Sequence, residues 1–505
     1  MGQSVGAVIK GVVIVRDLGY IKPPMATHYP KIGRLESAGA LRDHWAQLGW
    51  RIPVDDRPAV GTASPLHQPF LLAGRPVGNR WCIHPMEGWD GHPDGSPSDR
   101  TLRRWQRFGE SGAKLIWGGE AAAVRADGRA NPRQLMAIAD HIDHFVGLRR
   151  TLVDAHRACH GTTDDLCIGL QLTHSGRFCR PHDHRLEPRI AYHHPLLDPK
   201  FGIGTMPGIS AHVWTDAELD GLIEDYVRAA RLAREAGFDF VDVKACHGYL
   251  LHEFLSAQVR PGPYGGDLAG RTRLLRTIIR SIRQVVPDLL IGVRLSVFDT
   301  PPFVAGPEHG VPMDYAKCLP YSFGFGVDRA DPLRIDLTEP IDLLRTLRDE
   351  GVVAVNVSCG SPYYNPHLQR PAIFPPSDGY FPPEDPLVGV ARQITAARDC
   401  KQAVPDLPMI GTGYTYLQEY LPHVAQAVVR AGWIDSVGLG RMVLSYPTLP
   451  ADLIHGRPWQ RKLVCRTFSD CTTAPRNGLV SGCYPLDPYY RALPEAELLR
   501  RAKDT

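Results

Sequence analysis

The chain has 505 residues, enough for one large domain with additions or for two or three average domains. Apolar residues make up 43% of it, which supports a sizeable core and excludes global disorder. Lys and Arg number 57 against 54 Asp and Glu, so no basic footprint points to nucleic acid and no acidic tail is present.

The first stretch, "MGQSVGAVIKGVVIVRDLGYIKPP", carries a short apolar patch broken by Lys10 and Arg16. It is too short and too interrupted for a membrane span or a signal peptide, and Gly6 stands where a myristoylation pattern needs Ser or Thr. Residues 1–65 form an N-terminal extension, with helical spacing in "LESAGALRDHWAQLGW" and a linker in "PVDDRPAVGTASP". From residue 66 a strand–loop–helix rhythm sets in and runs to residue 455. Eight strands are expected: 80–85, 113–118, 166–172, 238–244, 289–295, 352–358, 407–413 and 435–440. Helices are expected between them, including 216–237, 271–286 and 416–432. Near-continuous apolar strands alternating with helices imply a parallel sheet. Eight units over this length fit an α/β fold of the (β/α)8 TIM-barrel type, with an open doubly wound sheet as the alternative. No strand–GxGxxG–helix unit is present, which disfavours a dinucleotide-binding Rossmann domain.

Long insertions at 178–213 and 297–334 leave the C-terminal ends of strands three and five, where barrel enzymes build their sites. A C-terminal tail, 456–505, carries Cys465, Cys471 and Cys483. The 11 cysteines are an odd number spread along a large chain, which suits a reducing, cytoplasmic setting.

The strand ends carry the chemistry. Gly411, Gly413 and Gly440 end strands seven and eight, where backbone N–H groups approach a phosphate in such barrels, and Arg441 adds charge. The same glycines also suit plain tight turns. Gln171 and Arg294 end strands three and five. An amide and a guanidinium there suit the pyrimidine edge of a flavin, or a buried network that closes the barrel. Past strand four come Lys244, His247 and Tyr249, either a catalytic cluster or a polar loop. Asp242, two residues before Lys244 on the same strand face, offers it a structural ion pair.

The runs "NRWCIHPM", "QLTHSGR", "HGYLLHEFL" with "YGG" beyond it, "GVRLS" and the "GTG" and "GLGR" ending together resemble the old yellow enzyme family of FMN-dependent NAD(P)H oxidoreductases. The resemblance spans residues 66–455. It implies a TIM barrel with FMN at its C-terminal mouth, reduced by NAD(P)H. It implies that Pro85, Met86, Glu87 and Gly119 line the flavin, that Gln171 and Arg294 hold its pyrimidine, and that Gly411, Gly413, Gly440 and Arg441 hold its phosphate. At strand four the family has His-x-x-(Asn/His)-Gly-Tyr, and here Lys244 replaces the first His. The implied reaction is reduction of an activated alkene of enone type. Lys244 and His247 hold the substrate oxygen, hydride passes from flavin N5, and Tyr249 supplies the proton. Glu87 also departs from the family, where a small or hydroxyl residue is common. Oxidation of an amine-type substrate is the alternative within flavoenzymes, and a barrel that has lost FMN is the alternative outside them.

The tail resembles the 2,4-dienoyl-CoA reductase and trimethylamine dehydrogenase branch, whose longer members carry a four-cysteine [4Fe–4S] site there. Here Phe468 stands at the second ligand position, leaving Cys465, Cys471 and Cys483. A relic of free thiols, a three-cysteine cluster, and zinc completed by Asp470 or a remote His all stay open. The stretch "PHDHRLEPRIAYHH" is expected to be a polar loop over the site rather than a metal centre. The expected partner is a small-molecule substrate, with neither nucleic acid nor membrane, and a homo-oligomer is compatible with the sequence.

Overall fold

The computed structural model describes residues 29–504. The readings of residues 1–20 therefore lie outside the described residues.

Among the described residues eight parallel strands close on themselves: β1 (Trp81–Ile83), β2 (Leu115–Ile116), β3 (Cys167–Thr173), β4 (Phe240–Ala245), β5 (Leu290–Ser296), β6 (Ala354–Ser358), β7 (Met409–Gly411) and β8 (Ser436–Leu439). Each pairs with the next in sequence, and β8 returns to β1 through Val437 beside Trp81 and Leu439 beside Ile83. Every residue of β3, β4 and β6 is buried. That is why these strands read as apolar runs rather than as an alternation.

Among the described residues one main helix follows each of the first seven strands: α1 (Asp99–Gly109), α2 (Ile142–His160), α3 (Asp216–Glu235), α4 (Leu268–Val285), α5 (Thr338–Asp349), α6 (Pro386–Ala403) and α7 (Leu421–Arg430). Their starts follow local chemistry. Thr215 and Glu218 exchange side-chain and backbone hydrogen bonds in a capping box that opens α3. Asp385 caps α6, whose first residue is Pro386. The single helix expected over 416–432 is broken. Residues Tyr414–Tyr420 form a 3-10 segment, Gln418 takes φ 51°, and α7 begins only at Leu421 with Pro422 in its first turn. Proline fits there because its missing N–H would have no helical partner.

The extension and the tail pack on the barrel. Ser37 caps a helix, Ala38–Gln47, whose Trp45 is fully buried and donates to the Leu387 carbonyl at 2.9 Å. The tail runs back over the barrel mouth. Arg103 of α1 grips Asp487 with two hydrogen bonds of 2.9 and 3.0 Å, and the Trp89 N–H donates to Ser481 Oγ at 3.1 Å. Among the described residues no helix is long and apolar enough to cross a membrane.

Candidate active site

The C-terminal ends of the strands open into a cavity of about 460 Å³, roofed by the insertion after β3, the loop after β6 and the tail. A strand sends alternate side chains to one face, so Asp242 and Lys244 of β4 project together. Their partners differ. Asp242 accepts from Gln171 Nε2 at 2.5 Å and from the Arg294 backbone N–H at 2.6 Å. Lys244 instead reaches Glu87, at 4.0 Å from Oε2, and lies over the Tyr249 ring, 3.7 Å from its centroid. The Asp242–Lys244 ion pair is thus replaced by Glu87–Lys244, because Asp242 is already engaged by the neighbouring strands.

Past β4 the chain turns sharply. His247 takes φ 67° and Gly248 φ 78°. The first costs a side-chain-bearing residue roughly 1–3 kcal/mol. At Gly248 a Cβ would fall 2.8 Å from Tyr364 and 2.9 Å from Ser361 Oγ. The His247 N–H donates to Ser296 Oγ at 3.1 Å, and its carbonyl accepts from Ser361 Oγ at 2.9 Å. These bonds hold the turn that brings both His247 and Tyr249 back into the cavity. His247 Nε2 lies 2.8 Å from Ser358 Oγ and 3.4 Å from Gln369 Nε2.

Tyr249 donates its single hydroxyl proton to Glu87, so the Tyr363 hydroxyl, 3.0 Å away, is the donor to Tyr249. Tyr363 stacks flat on Phe178, with centroids 4.0 Å apart and planes at 11°. Burial, with the Glu87 charge next, pushes the Tyr249 phenol well above its usual range. Burial pushes Tyr363 up to about 12. Burial also lowers Lys244, an effect that Glu87 opposes. Burial, followed by the charges of Arg294 and Lys244, pushes His247 well below 6.5, which keeps its imidazole neutral. Asp242 is raised to about 6 by burial, with the Gln171 hydrogen bond opposing.

Pro85, Met86, Glu87, Gln171, Lys244, His247, Tyr249, Arg294, Gly413, Gly440 and Arg441 all line this one cavity. Gly119 and Gly411 do not. Gly119, at φ 49°, backs onto Trp105, where a Cβ would come within 2.6 Å, and its carbonyl receives the Met86 N–H at 3.4 Å. Gly411 lies against Ile434 and Tyr414, 2.8 and 2.9 Å from where a Cβ would stand. Both glycines serve close packing behind the site. Sequence reasoning missed Tyr363 and Gln369, although the tyrosine pair in "SPYYNPH" just past β6 was a signal for the first.

The donor set fits a flavin mononucleotide. Arg294 Nε and Arg441 Nη1 are buried without a hydrogen-bond partner among the described residues. Gln171 already donates to Asp242, so its amide oxygen is the end left as an acceptor. At Gly440 a Cβ would find only His84 Cδ2, 4.0 Å off, so the backbone there faces open space. A four-thiolate cluster does not fit. Among the described residues no three His, Cys, Asp or Glu side chains group as a metal site. Phe468, at the second ligand position, packs on Phe374 with centroids 5.5 Å apart. Burial raises Cys465 to about 11 and pushes Cys483 higher still, so both stay protonated thiols. In the histidine-rich insertion, His182 pairs with Glu187 at 2.8 Å, and His184 reaches the cavity edge.

The sequence matches the NADH:flavin oxidoreductase / NADH oxidase family over residues 65–302. A curated NADPH dehydrogenase of Geobacillus sp. is 31% identical over 278 residues, which cover 53% of this chain and 72% of that protein. Among solved structures, the old yellow enzyme homologue from Zymomonas mobilis superposes with a TM-score of 0.55 at 19% identity, covering 80% of this chain and 96% of its own. Histamine dehydrogenase from Rhizobium sp. 4-9 superposes with a TM-score of 0.58 at 18% identity. That match covers 84% of this chain but only 52% of the dehydrogenase, so the chain spans about half of that protein's length. At such identities the two structures speak for the fold.

Proposed function

Because the chain belongs to the NADH:flavin oxidoreductase / NADH oxidase family, whose members are FMN oxidoreductases that use NAD(P)H, we propose that it reduces the double bond of an activated alkene at the expense of NADPH. The observation that carries this reading is the convergence of Lys244, neutral His247 and Tyr249 in the cavity that also holds Gln171 and Arg294. Bound FMN would supply the hydride, with Gln171 and Arg294 at its pyrimidine and Gly413, Gly440 and Arg441 at its phosphate.

The protein's own groups do the rest. Lys244 and His247 donate to the substrate's carbonyl oxygen and stabilise the negative charge that builds there. A preorganised pair of donors costs no reorganisation at the moment of reaction. Tyr249, fully protonated at neutral pH, gives its proton to the substrate carbon, and the donor hydroxyl of Tyr363 restores it. The eleven cysteines, eight of them buried and none in a disulfide, support a reducing, cytoplasmic setting.

The test is anaerobic reduction of the bound flavin by NADPH, followed by mixing with a cyclic enone. Fast reoxidation in the wild type, lost in Tyr249→Phe, is expected. Equal reoxidation in the two proteins would remove Tyr249 from the reaction, and none in either would remove alkene reduction.

One observation favours a second reading. Glu87 accepts the Tyr249 proton, so the pair is also disposed as a base for a donor substrate such as an amine, the class named for histamine dehydrogenase. Anaerobic bleaching of the flavin by an amine, without NADPH, would establish it. The flavin-free binding barrel is set aside by the family match and by the cofactor-shaped donor set.

A further inference from the structure

Behind the cavity, the insertion after β5 holds a buried carboxylate. Asp299 lies just past β5, its backbone N–H fixed to the Phe325 carbonyl at 2.9 Å. Each of its oxygens takes a hydrogen bond from the loop after β6: Oδ2 from the Tyr364 hydroxyl at 2.5 Å, Oδ1 from Asn365 Nδ2 at 2.6 Å. Asn365 passes the contact on. Its Oδ1 accepts the Ser361 N–H at 2.5 Å, and Ser361 Oγ donates to the His247 carbonyl at 2.9 Å. Tyr364 also packs on the turn directly, since a Cβ at Gly248 would fall 2.8 Å from its ring. Ser361, Tyr364 and Asn365 are all buried. The carboxylate therefore stands at the root of the loop that fastens the strained His247 turn and carries Tyr363. Among the described residues no Lys, Arg or His pairs with it; Tyr192, Tyr321 and the Cys359 thiol are the other groups close enough to feel its charge.

A carboxylate without a counter-ion is costly to bury. Burial raises Asp299 to about 7, with the Tyr364 and Asn365 hydrogen bonds opposing. An Asp raised on folding stabilises the fold in its protonated form, a contribution present below its ordinary 3.8 and lost as pH rises through about 7. The charge therefore costs stability at neutral pH, and its use lies elsewhere. We propose that Asp299 is a positioning residue for the alkene-reducing step: by accepting from Tyr364 and Asn365 together, it sets the loop after β6 and through it the His247 turn and the Tyr363 hydroxyl. The ionised form suits this because it is an acceptor only. A proton on either oxygen turns one of the two donors away, and the Tyr364 hydroxyl has no other acceptor among the described residues. The kinetic consequence rests on the alkene-reduction reading, whereas the structural one rests on the hydrogen bonds alone.

The test follows hydrogen–deuterium exchange of segments 246–250 and 359–366 in the holoenzyme at pH 8 and pH 6, corrected for intrinsic rates. Reoxidation of the reduced flavin by a cyclic enone is measured alongside. In the wild type both segments should exchange roughly five-fold faster at pH 6, the worth of one hydrogen bond, and reoxidation should slow with them while reduction by NADPH changes little. Asp299→Asn, whose amide carries a donor at every pH, should exchange at pH 8 as the wild type does at pH 6. It buries no charge, so at pH 8 it should unfold at no lower a temperature than the wild type. Tyr364→Phe removes the donor that a proton displaces, so its exchange should be alike at the two pH values; this variant decides the matter if Asp299→Asn fails to fold. Wild-type exchange in both variants at both pH values would overturn the proposal. So would an Asp299→Asn protein that is less stable at pH 8 and slowed equally in both half-reactions, which would make Asp299 a structural residue only. A wild type that shows the expected exchange but is not reoxidised by the enone would sink alkene reduction and leave the role of Asp299 in the loop standing.

Discussion

The end of β4 and the cysteine-bearing tail both present unusual side chains at short spacing, but the fold treats them in opposite ways. At β4 a tight turn, with His247 and Gly248 both at positive φ, delivers three titratable groups into one cavity, where Glu87 and Tyr363 meet them from distant parts of the chain. In the tail, Cys465 and Cys483 are buried as protonated thiols, and the residues that reach the cavity include Cys471, Thr472, Arg476, Ser481 and Asp487. Spacing alone made the two stretches look equally chemical. The difference lies in what surrounds them: at β4 hydrogen-bonding and charged partners converge on the cavity, whereas at Cys465 and Cys483 burial dominates and holds the thiols protonated.

That contrast can be broken from the β4 side first. Lys244→Met should slow reoxidation of reduced flavin by an enone roughly 10²-fold, the usual loss when one oxyanion donor is removed. Reduction by NADPH should be little changed, so the two half-reactions measured by stopped flow separate the roles. Tyr363→Phe is expected to cost less, on the order of five-fold in the same step, because it removes one hydrogen bond to Tyr249 and not the proton donor itself.

The pH profile sharpens the assignment. A lysine holds an oxyanion only while charged, that is, below its pKa. Burial lowers Lys244, so the rate should fall as pH rises through a value below the ordinary 10.5. Glu87 opposes that lowering, so Glu87→Gln should move the alkaline limb to still lower pH, and Lys244→Met should abolish it. His247 is neutral throughout, so no inflection near 6.5 belongs to it. The smallest effect is expected in the tail. The double variant Cys465→Ala, Cys483→Ala should keep turnover within about two-fold, under about 0.5 kcal/mol of barrier. Elemental analysis of the wild type should find no iron; stoichiometric iron lost in the variant would reverse the comparison.

The barrel was legible because its strands are buried on both faces and so stand out as β-rich apolar runs between amphipathic helices. All eight strands fall where the sequence places them. Helix ends were harder. The break at Gln418 depends on Tyr414, Leu417 and Tyr420 being drawn into the core, which no local pattern announces. In the site, residues at strand ends could be placed one by one, but their partners could not. Glu87 and Tyr249 are 162 positions apart, and Tyr249 and Tyr363 are 114 apart. Sequence spacing offers Asp242 to its strand neighbour Lys244 as one option, whereas cross-strand contacts give it to Gln171 and the Arg294 N–H. Gly119 and Gly411 misled because a glycine admits close approach from either side, and here the approaching group is a packed aromatic or aliphatic side chain.

The tail that crosses the barrel mouth has a consequence for redesign. Part of the cavity wall is written in residues 471–490, on short helices fastened by surface hydrogen bonds and by the Arg103–Asp487 clasp. Substitutions at Ser481 or Thr472 would reshape the chamber without disturbing a single strand of the closed sheet. Substrate range and scaffold integrity can therefore be tuned separately in this molecule, with the tail as the exchangeable panel and the barrel as the fixed frame.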